Sequence, residues 1–336
     1  MTDPEVYVNS SYIFYFDSGT SNTRAYLLDT DFKIVCARKK GFGSKDSAIA
    51  GNNSGLIDGL WELYQEVLDA ASVEDGDISG IYASGMVTSP YGLCEVPHVS
   101  TPISVRDFSE TVCPFEENTR FHRTIDLIPG LKSLKEDFSF SGNMRGEEIE
   151  IFGAIDDLRE SCPDSAVLIL PGSHTHMALI NDGAVEDIIS TFTGELFHAL
   201  QKETVLSPIL EGEIPEIDAQ MVKLAYKNLT RFGFNRAIYI GHAMKVFERG
   251  SPDQWFSYCE GAINGGVRQV LECYCGRFWK NCETAAIVSD EFMYRLFAAL
   301  FEDSEHIKRV VWLPIDSDSI YSVKGLKKIL KTNRGK

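Results

Sequence analysis

The chain has 336 residues, of which 44% are hydrophobic and 11% aromatic, so it can build a sizeable core. Its formal net charge of −17 argues against nonspecific binding to nucleic acid or to an acidic membrane surface. The sequence shows neither a signal-peptide pattern nor an apolar run of membrane-spanning length, which predicts a soluble, cytoplasmic protein. A chain of this length predicts two domains with a cleft between them.

The most distinctive stretch near the N-terminus reads as a β-hairpin, with strands at residues 12–16 and 24–28. Its turn offers hydroxyl groups and backbone N–H groups, which can form a nest for an anion. The turn residues are Ser18, Gly19, Thr20, Ser21 and Asn22. A carboxylate beside an anion site needs a cation between them, so Asp17 is predicted to reach a hydrated Mg²⁺. The alternative is an ordinary polar turn.

The next part of the chain predicts an α/β layer. A third strand is expected at 32–38, a loop at 41–55, a helix at 55–71 and a buried strand at 78–83 that ends at Ser84, Gly85 and Met86. Residues 91–118 have no clear periodicity, which is typical of a binding loop. Arg106 lies in this stretch, with Arg120 and Arg123 close behind. These arginines can clamp a substrate carboxylate or can be ordinary surface charge.

Two adjacent carboxylates, Glu147 and Glu148, open a predicted helix, and Arg145 precedes them. Negative side chains at a helix N-terminus are stabilised by the helix dipole, which is one reason for the pattern. The pair also suits a general base that faces a hydroxyl group. The pattern alone does not choose between these roles.

The strand, polar turn and strand pattern then recurs, with strands at 166–170 and 177–180 around a turn at 171–176, and a third run at 184–190. This recurrence predicts two related halves, each with an anion-binding turn. Residues 191–196 lead into a helix whose N-terminus can add phosphate contacts. Helices are predicted at 217–231, 235–248, 252–275, 291–301 and 317–330, and strands at 284–288 and 309–313.

Two clusters in the second half have alternative interpretations. Gly261, Gly265 and Gly266 favour close helix packing over the approach of an adenine. Four cysteines, at positions 259, 273, 275 and 282, lack paired CxxC spacing, so free thiols are expected rather than a zinc site. The sequence leaves a homodimer open.

Six segments, in order, resemble the 2-dehydro-3-deoxygalactonokinase family, whose members are sugar-acid kinases of the actin-like ATPase superfamily. They are DSGTSNTRAY from Asp17, SGMVTSPYG from Ser84, IPGL from Ile128, MRGEE from Met144, LPGSHTH from Leu170 and TFTGELF from Thr191. The segments extend to about residue 200, with weaker similarity near 258–266. The ordered set is more specific than any single motif.

The resemblance implies an α/β protein with two ribonuclease-H-like domains, 1–160 and 161–336, that bind ATP in a cleft. It implies transfer of the γ-phosphate of ATP to the 6-hydroxyl of 2-dehydro-3-deoxy-D-galactonate, or to another acidic sugar. A noncatalytic descendant that binds a sugar acid and serves a regulatory role is a further alternative.

The resemblance also implies roles for individual residues. Asp17 would hold Mg²⁺, and Glu147 or Glu148 would be the base. Phosphate or ATP contacts would come from Ser18, Gly19, Thr20, Ser21, Asn22, Arg24, Gly172, Ser173, His174, Thr175, Thr193 and Gly194. Substrate contacts would come from Ser84, Gly85, Met86, Arg106 and Arg145.

The chain departs from the family pattern at three places. Ser18 stands where an aromatic residue is usual, and His176-Met177 stand where Lys-Trp is usual. The expected lysine would contact phosphate. A late strand at 284–288 runs into Ser289-Asp290-Glu291 without the glycine that usually approaches adenosine. The missing lysine and the missing late glycine favour the noncatalytic alternative, whereas Asp17 and the two glutamates oppose it.

Overall fold

The structure, a computed structural model, describes residues 11–162, 165–212, 216–316 and 320–333. These residues form two compact units. Unit 1 contains the described parts of Met1–Lys132, Asn143–Gly153 and Tyr321–Lys336, and unit 2 those of Ser133–Gly142 and Ala154–Ile320. The predicted domains 1–160 and 161–336 remain a prediction. Residues 1–10, which we predict to be a polar lead-in to the first strand, lie outside the described residues.

The strands are β1 Tyr12–Ser18, β2 Thr23–Leu28, β3 Ile34–Lys40, β4 Ile78–Gly85, β5 Val99–Ser100, β6 Ile103–Ser104, β7 Cys113–Glu117, β8 Arg123–Leu127, β9 Leu131–Ser133, β10 Gly142–Met144, β11 Ala166–Leu170, β12 His174–Asn181, β13 Ala184–Phe192, β14 Thr284–Ser289 and β15 Arg309–Pro314. The α-helices are α1 Ser44–Ala50, α2 Ser54–Ala71, α3 Val105–Ser109, α4 Glu147–Ser161, α5 Gly194–Glu203, α6 Ser207–Leu210, α7 Ala219–Phe232, α8 Phe234–Val246, α9 Pro252–Arg277, α10 Glu291–Phe301 and α11 Tyr321–Asn333.

Unit 1 is built on a six-stranded mixed sheet in the order β3-β2-β1-β4-β8-β7. The first three strands form an antiparallel meander, and β4 lies parallel to β1. Strand β1 is apolar on both faces, and its residues Ile13 to Phe16 are at most 3% exposed. This is the pattern of a central strand covered on both sides. The predicted hairpin and meander are confirmed.

Helices cover this sheet. The apolar stripe of α2 packs into the core with Phe14, Phe16 and Leu27, as its spacing predicts. Helices α4 and α11 cross at two glycines. A Cβ on Gly153 would lie 2.0 Å from the carbonyl oxygen of Tyr321, and one on Gly325 would lie 1.9 Å from that of Ile149. Only glycine permits this approach of two helix backbones.

Unit 2 contains strands in the order β15-β14-β11-β12-β13. Again three strands form an antiparallel meander, and β14 lies parallel to β11. The same connection therefore occurs in both units, as the recurring strand and turn pattern predicts. Helices α7 to α10 supply most of the remaining core, where Gly261 of α9 packs on the backbone of Val222.

Three predicted elements were wrong in detail. The expected loop at 41–55 contains helix α1, at whose start the Gly43 N–H donates to Asp46 Oδ2 over 2.9 Å. The long excursion at 91–118 contains four short elements, from β5 to β7. The second turn ends earlier than predicted, because His174 to His176 already belong to β12 and pair with β13. The closing helix is described from Tyr321, and residues 317–319 of its predicted span lie outside the described residues.

Candidate active site

Asp17 lies where three strands meet. It is opposite Arg24 in the antiparallel pairing of β1 with β2, and beside Ser84 in the parallel pairing of β1 with β4. Arg24 Nη1 donates to Asp17 Oδ2 over 3.1 Å, and the Asp17 side chain is 19% exposed. Burial raises the pKa of Asp17, and the charge and hydrogen bond of Arg24 partly offset this rise. The structure therefore provides a carboxylate of restricted exposure at the strand end.

The turn after Asp17 is stabilised by hydrogen bonds and by a backbone contact with Gly43. The Gly19 N–H donates to the Asn22 carbonyl over 2.8 Å, and the Ser18 and Thr23 hydroxyl oxygens are 2.9 Å apart. A Cβ on Gly43 would lie 2.4 Å from the Gly19 carbonyl oxygen, so the α1 backbone rests directly on the turn. Ser18 is fully buried, whereas Thr20, Ser21 and Asn22 are exposed. The exposed residues are the part of the predicted nest that a ligand can approach.

Two glycines bring three of the sequence motifs together. Gly85 has a φ of 81°, and a Cβ there would lie 2.5 Å from the Ser18 carbonyl oxygen. Gly146 has a φ of 119°, and its Cβ would lie 3.3 Å from the Gly85 Cα. Both positive φ values favour glycine. The Asp17 turn, the end of β4 with Ser84 and Met86, and the start of α4 therefore lie together in unit 1.

The start of α4 places several carboxylates at this point. Glu148 is completely buried and accepts a hydrogen bond from the Gly146 N–H over 2.7 Å. Its other oxygen, Oε1, has no partner among the described residues. Burial, and to a smaller extent the charge of Glu147, raise the pKa of Glu148 to about 8.

Sequence reasoning missed Glu150. Burial, and then the charges of Asp17 and Glu147, raise its pKa to about 8. This electrostatic influence agrees with the backbone contacts of Gly85 and Gly146, which bring the end of β1 and the start of α4 together. The spacing of three residues between positions 147 and 150 puts both on neighbouring positions of one helix face, which was an available signal. We call Asp17, Glu147, Glu148 and Glu150 the carboxylate cluster.

Tyr15 is a second residue that the sequence suggested only as core. Its hydroxyl lies 2.7 Å from the Ser84 Oγ atom. Burial raises the pKa of Tyr15 well above its usual value, and the charges of Asp17 and Glu148 add to this effect. The tyrosine therefore stays protonated and links the end of β4 to the carboxylate cluster.

Arg145 was predicted to bind substrate, and its guanidinium group is extensively bonded to protein groups. Nη1 donates to the Thr88 carbonyl over 2.6 Å, and Nη2 donates to the Val96 carbonyl and to His98 Nδ1, each over 3.2 Å. These bonds fix the segment that follows β4. Burial and the neighbouring Arg145 lower the pKa of His98 to about 4, so that ring is neutral at pH 7.

The other arginines lie elsewhere on unit 1. Arg106 is exposed in the short helix α3, and the described hydrogen bonds and ion pairs do not join its side chain to the carboxylate cluster. Arg120 pairs with Asp58 over 2.7 Å, and Arg123 with Asp75 over 3.2 Å. The interpretation as surface charge therefore fits Arg120 and Arg123. The substrate-binding roles of Arg106 and Arg145 stay predictions.

Unit 2 presents a second turn, between β11 and β12. The Thr175 and Thr193 hydroxyl oxygens are 2.9 Å apart, and the Glu195 N–H donates to the Ser173 carbonyl over 2.9 Å. A Cβ on Gly194 would lie 2.3 Å from the Gly172 carbonyl oxygen. The start of helix α5 therefore lies against this turn, as the predicted phosphate contacts require.

A cavity of about 260 Å³ adjoins this turn. Its lining combines four predicted nucleotide contacts with residues from α5, α9 and α10. The lining residues are Pro171, Gly172, Thr175, Thr193, Gly194, Phe197, His198, Glu260, Ile263, Asn264 and Met293. Glu260 and Asn264 were not predicted, because their relation to the turn depends on how α9 packs. The structure thus adds the polar side chains of His198, Glu260 and Asn264 to the predicted site.

The departures from the family pattern can now be placed. His176 Nδ1 lies 2.7 Å from Ser190 Oγ, and the side chain is buried. Burial, with the neighbouring His174, lowers the pKa of His176 to about 4, so it supplies no positive charge at pH 7. Asp290 accepts a hydrogen bond from the Met293 N–H over 2.9 Å and thereby caps α10. In the loop after β14, the Asp290 carboxylate therefore stabilises the start of a helix.

The Asp17 carboxylate is the donor that the expected Mg²⁺ would use. Among the described residues, no group of three or more His, Cys, Asp or Glu side chains is arranged to hold a metal ion alone. Mg²⁺ usually keeps several waters and binds through one or two carboxylates and the phosphates of a nucleotide. The partly exposed oxygens of Asp17 fit that mode of binding.

The fold is mixed α/β, and it corresponds to the fold of a solved structure. The structure superimposes on the crystal structure of a candidate 2-dehydro-3-deoxygalactonokinase from Sinorhizobium meliloti with a TM-score of 0.72, at 20% identity, over 96% of this chain and 99% of that chain. At this identity the comparison shows the fold alone.

The family model for 2-keto-3-deoxy-galactonokinase matches residues 17–317, and the chain belongs to that family. It is 26% identical over 198 residues to the probable 2-dehydro-3-deoxygalactonokinase of Rhizobium meliloti (strain 1021), which is 59% of each chain. It is 28% identical over 139 residues to the 2-dehydro-3-deoxygalactonokinase of Escherichia coli (strain K12), which is 41% of this chain and 43% of that one. The matches span less than two thirds of either relative.

Among the described residues, none of the helices combines the length and the apolar character needed to cross a bilayer.

Proposed function

We propose that this protein transfers the γ-phosphoryl group of ATP to the 6-hydroxyl of 2-dehydro-3-deoxy-D-galactonate, in the cytoplasm and with Mg²⁺. The observation that carries the proposal is the carboxylate cluster beside the Gly19 turn, in a chain of this family. Phosphoryl transfer needs positioned phosphates, charge neutralisation and a group that receives the proton of the attacking hydroxyl. The two turns and the carboxylate cluster together are proposed to supply these requirements.

Asp17 is the residue proposed to hold hydrated Mg²⁺, and Arg24 orients its carboxylate by the 3.1 Å hydrogen bond. The metal ion, when bound, neutralises phosphate charge. The backbone N–H groups and hydroxyls of the Gly19 turn and the Gly172 turn are proposed to contact phosphate oxygens. An actin-like arrangement of two ribonuclease-H-like domains around a cleft is part of the same proposal.

Glu147 is the proposed proton acceptor. Glu148 is completely buried, and burial together with the charge of Glu147 raises its pKa to about 8, so its carboxyl group is largely protonated at pH 7. Glu147 is the more exposed of the two, and it would accept the proton of the 6-hydroxyl as the O–P bond forms. Glu148 would position this acceptor through the turn at Gly146, to which it is hydrogen bonded.

A noncatalytic sugar-acid-binding protein is the second candidate. The observation that favours it is the neutral, buried His176 at the position where the family resemblance expects a lysine on phosphate. A binder needs neither a metal ligand nor a proton acceptor, and the carboxylate cluster therefore argues for the enzyme.

The test is ADP release from ATP and Mg²⁺ with 2-dehydro-3-deoxygalactonate, compared with a panel of other sugar acids. Turnover that depends on the sugar acid supports the proposal, and the panel shows whether another acidic sugar is preferred. Folded protein that binds a sugar acid by calorimetry but releases no ADP with any of them would contradict it and support the noncatalytic candidate.

A further inference from the structure

Asn264, which lines the cavity beside the Gly172 turn, has an unsatisfied polar group. The Asn264 Oδ1 atom is buried and has no hydrogen-bond partner among the described residues, and Asn264 as a whole is 3% exposed. A buried amide oxygen without a partner costs free energy, so its presence in a cavity wall points to a donor supplied from outside the chain.

The orientation of this amide is determined by its surroundings. Asn264 Nδ2 donates to the Glu260 carbonyl over 3.2 Å and to Glu260 Oε2 over 2.8 Å. A backbone carbonyl only accepts, so exchanging the amide nitrogen and oxygen would place two acceptors against each other. The nitrogen therefore faces Glu260, and Oδ1 is the atom left for a ligand.

Glu260 adds a second acceptor next to the first. It lies one helical turn before Asn264 on α9, lines the same cavity and is 7% exposed. Because Asn264 Nδ2 occupies Oε2, the other carboxylate oxygen is available to a ligand. The cavity wall thus carries two adjacent acceptors that require two donors close together.

The size and position of the cavity narrow the choice of ligand group. Small-molecule sites usually enclose about 300–1,000 Å³, so a cavity of about 260 Å³ suits only part of a nucleotide. Thr175, Thr193 and Gly194 of the proposed phosphate turn form one side, and Glu260 and Asn264 form another. The part of a nucleotide that joins phosphate and carries two adjacent hydroxyl donors is the ribose.

We infer that Glu260 and Asn264 bind the ribose hydroxyls of the nucleotide and make the protein selective for ribonucleotides over deoxyribonucleotides. One hydroxyl donates to the free oxygen of Glu260 and the other to Asn264 Oδ1. The neighbouring Ile263 and Met293 side chains pack against the uncharged part of the nucleoside. This inference rests on the proposed use of ATP, but it concerns binding rather than phosphoryl transfer.

The test is the equilibrium binding of ADP, 2′-deoxyADP, 3′-deoxyADP and inorganic pyrophosphate to the full chain, by calorimetry without sugar acid. We expect the loss of either hydroxyl to weaken binding about tenfold, since hydrogen bonds to buried or charged acceptors are strong. Asn264→Leu should remove the preference over one of the deoxynucleotides and leave pyrophosphate binding unchanged. Glu260→Gln, which keeps the size but loses the charge, should reduce the other preference several-fold.

Asn228→Leu is the matched control, because Asn228 lies in unit 2, bonds Tyr258 through its side chain and does not line the cavity. Circular dichroism checks the folding of each variant, and Glu260→Gln decides the question if Asn264→Leu does not fold. Equal affinity of the parent protein for ADP and both deoxynucleotides, or unchanged preferences in both folded variants, overturns the inference. Binding of ADP without ribose selectivity leaves the kinase proposal intact, whereas no nucleotide binding at all contradicts both.

Discussion

The two turns of the molecule share a backbone design but differ in charge. Each joins two antiparallel strands, and each has two hydroxyl oxygens 2.9 Å apart: Ser18 with Thr23 in unit 1 and Thr175 with Thr193 in unit 2. A glycine lies against each turn from behind, Gly43 in the first and Gly194 in the second. The same arrangement of a hydroxyl pair and a close glycine therefore occurs at both turns.

The surroundings of the turns differ. The first turn adjoins the carboxylate cluster, whereas the second adjoins a cavity with apolar side chains and two buried acceptors. Carboxylates suit a hydrated cation and a proton acceptor, and an apolar cavity suits the uncharged part of a nucleotide. The same turn can therefore suit either phosphoryl transfer or nucleotide binding, according to which helix is packed beside it.

The largest expected effect comes from removing charge at the first turn. Asp17→Asn and Glu147→Gln should each reduce the turnover number by about a hundredfold or more, because they remove the proposed metal ligand and the proton acceptor. Glu148→Gln should cost less than about tenfold, because glutamine resembles the protonated carboxyl that its raised pKa implies. ADP release under saturating substrates measures all three.

Asp31→Asn provides the control for these changes, because Asp31 is exposed in unit 1 and its backbone takes part in the turn after β2. It should leave turnover unchanged. An effect of Glu148→Gln larger than that of Glu147→Gln would reverse the assignment of the proton acceptor.

The second expected effect is a loss of stability when a methyl group is added to a glycine that lies against a turn. Gly194→Ala should reduce the free energy of unfolding by about 1–3 kcal/mol and weaken ADP binding, because its Cβ would lie 2.3 Å from the Gly172 carbonyl oxygen. Gly43→Ala should have a similar effect on stability, since its Cβ would lie 2.4 Å from the Gly19 carbonyl oxygen. Urea unfolding and calorimetry provide the measurements.

Gly266→Ala is the matched control for both glycine variants. Gly266 lies inside helix α9 with no atom within 4 Å of its Cβ position. Alanine there should raise the free energy of unfolding by up to about 1 kcal/mol, because glycine is the poorer helix former. If Gly194→Ala were as stable as the parent protein, the close approach behind the second turn would be wrong.

The third effect is a pH dependence of stability that arises from Glu150 in the carboxylate cluster. The pKa of Glu150 is raised in the folded protein to about 8 from an ordinary value near 4.5. Its contribution to stability is therefore fully present below about pH 4.5 and is lost as the pH rises through about 8. Glu150→Gln should gain stability relative to the parent protein between pH 5 and pH 9, by at most about 1.4 kcal/mol per pH unit.

Urea unfolding of both proteins at pH 5, 7 and 9 measures this difference. Glu160→Gln is the control for the removal of a carboxylate from the same helix, since Glu160 is exposed. A constant difference for Glu150→Gln would mean that Glu150 does not lie among the charges of the cluster.

The sequence predicted the parts of this site whose signal is local. Both meanders follow from alternating or continuous apolar runs with polar turns, and Asp17, Glu147 and Thr193 are found at the ends of elements as expected. What brings the parts together is not local. Gly85 and Gly146 contact each other from positions 61 residues apart, which depends on the packing of the β4 end against the start of α4.

The buried acceptors of α9 show the same limit. In the sequence, Glu260 and Asn264 resemble ordinary helix residues, and only the rotation of α9 in the core turns them toward the cavity. The Tyr15 hydroxyl was missed for a related reason. A tyrosine in a strand is predicted to be a core residue, and only the structure shows that its hydroxyl oxygen lies 2.7 Å from Ser84 Oγ. Tertiary packing, rather than propensity, decides which buried polar groups serve a site.

The smallest expected effect distinguishes the two hydroxyl pairs. Thr23 Oγ1 also donates to the Phe42 carbonyl over 3.0 Å, so in Ser18→Ala the Thr23 hydroxyl keeps a partner. Thr193 is buried, and among the described hydrogen bonds its side chain pairs with Thr175, so Thr175→Val leaves a buried hydroxyl unpaired. Thr175→Val should therefore cost about 1–2 kcal/mol of unfolding free energy, and Ser18→Ala less than about 1 kcal/mol. Thr230→Val, on the exposed face of α7, should be close to neutral by the same urea titration. Equal costs for the two turn variants would mean that the second pair, like the first, has another hydrogen-bond partner, and the two turns would then be alike in this respect too.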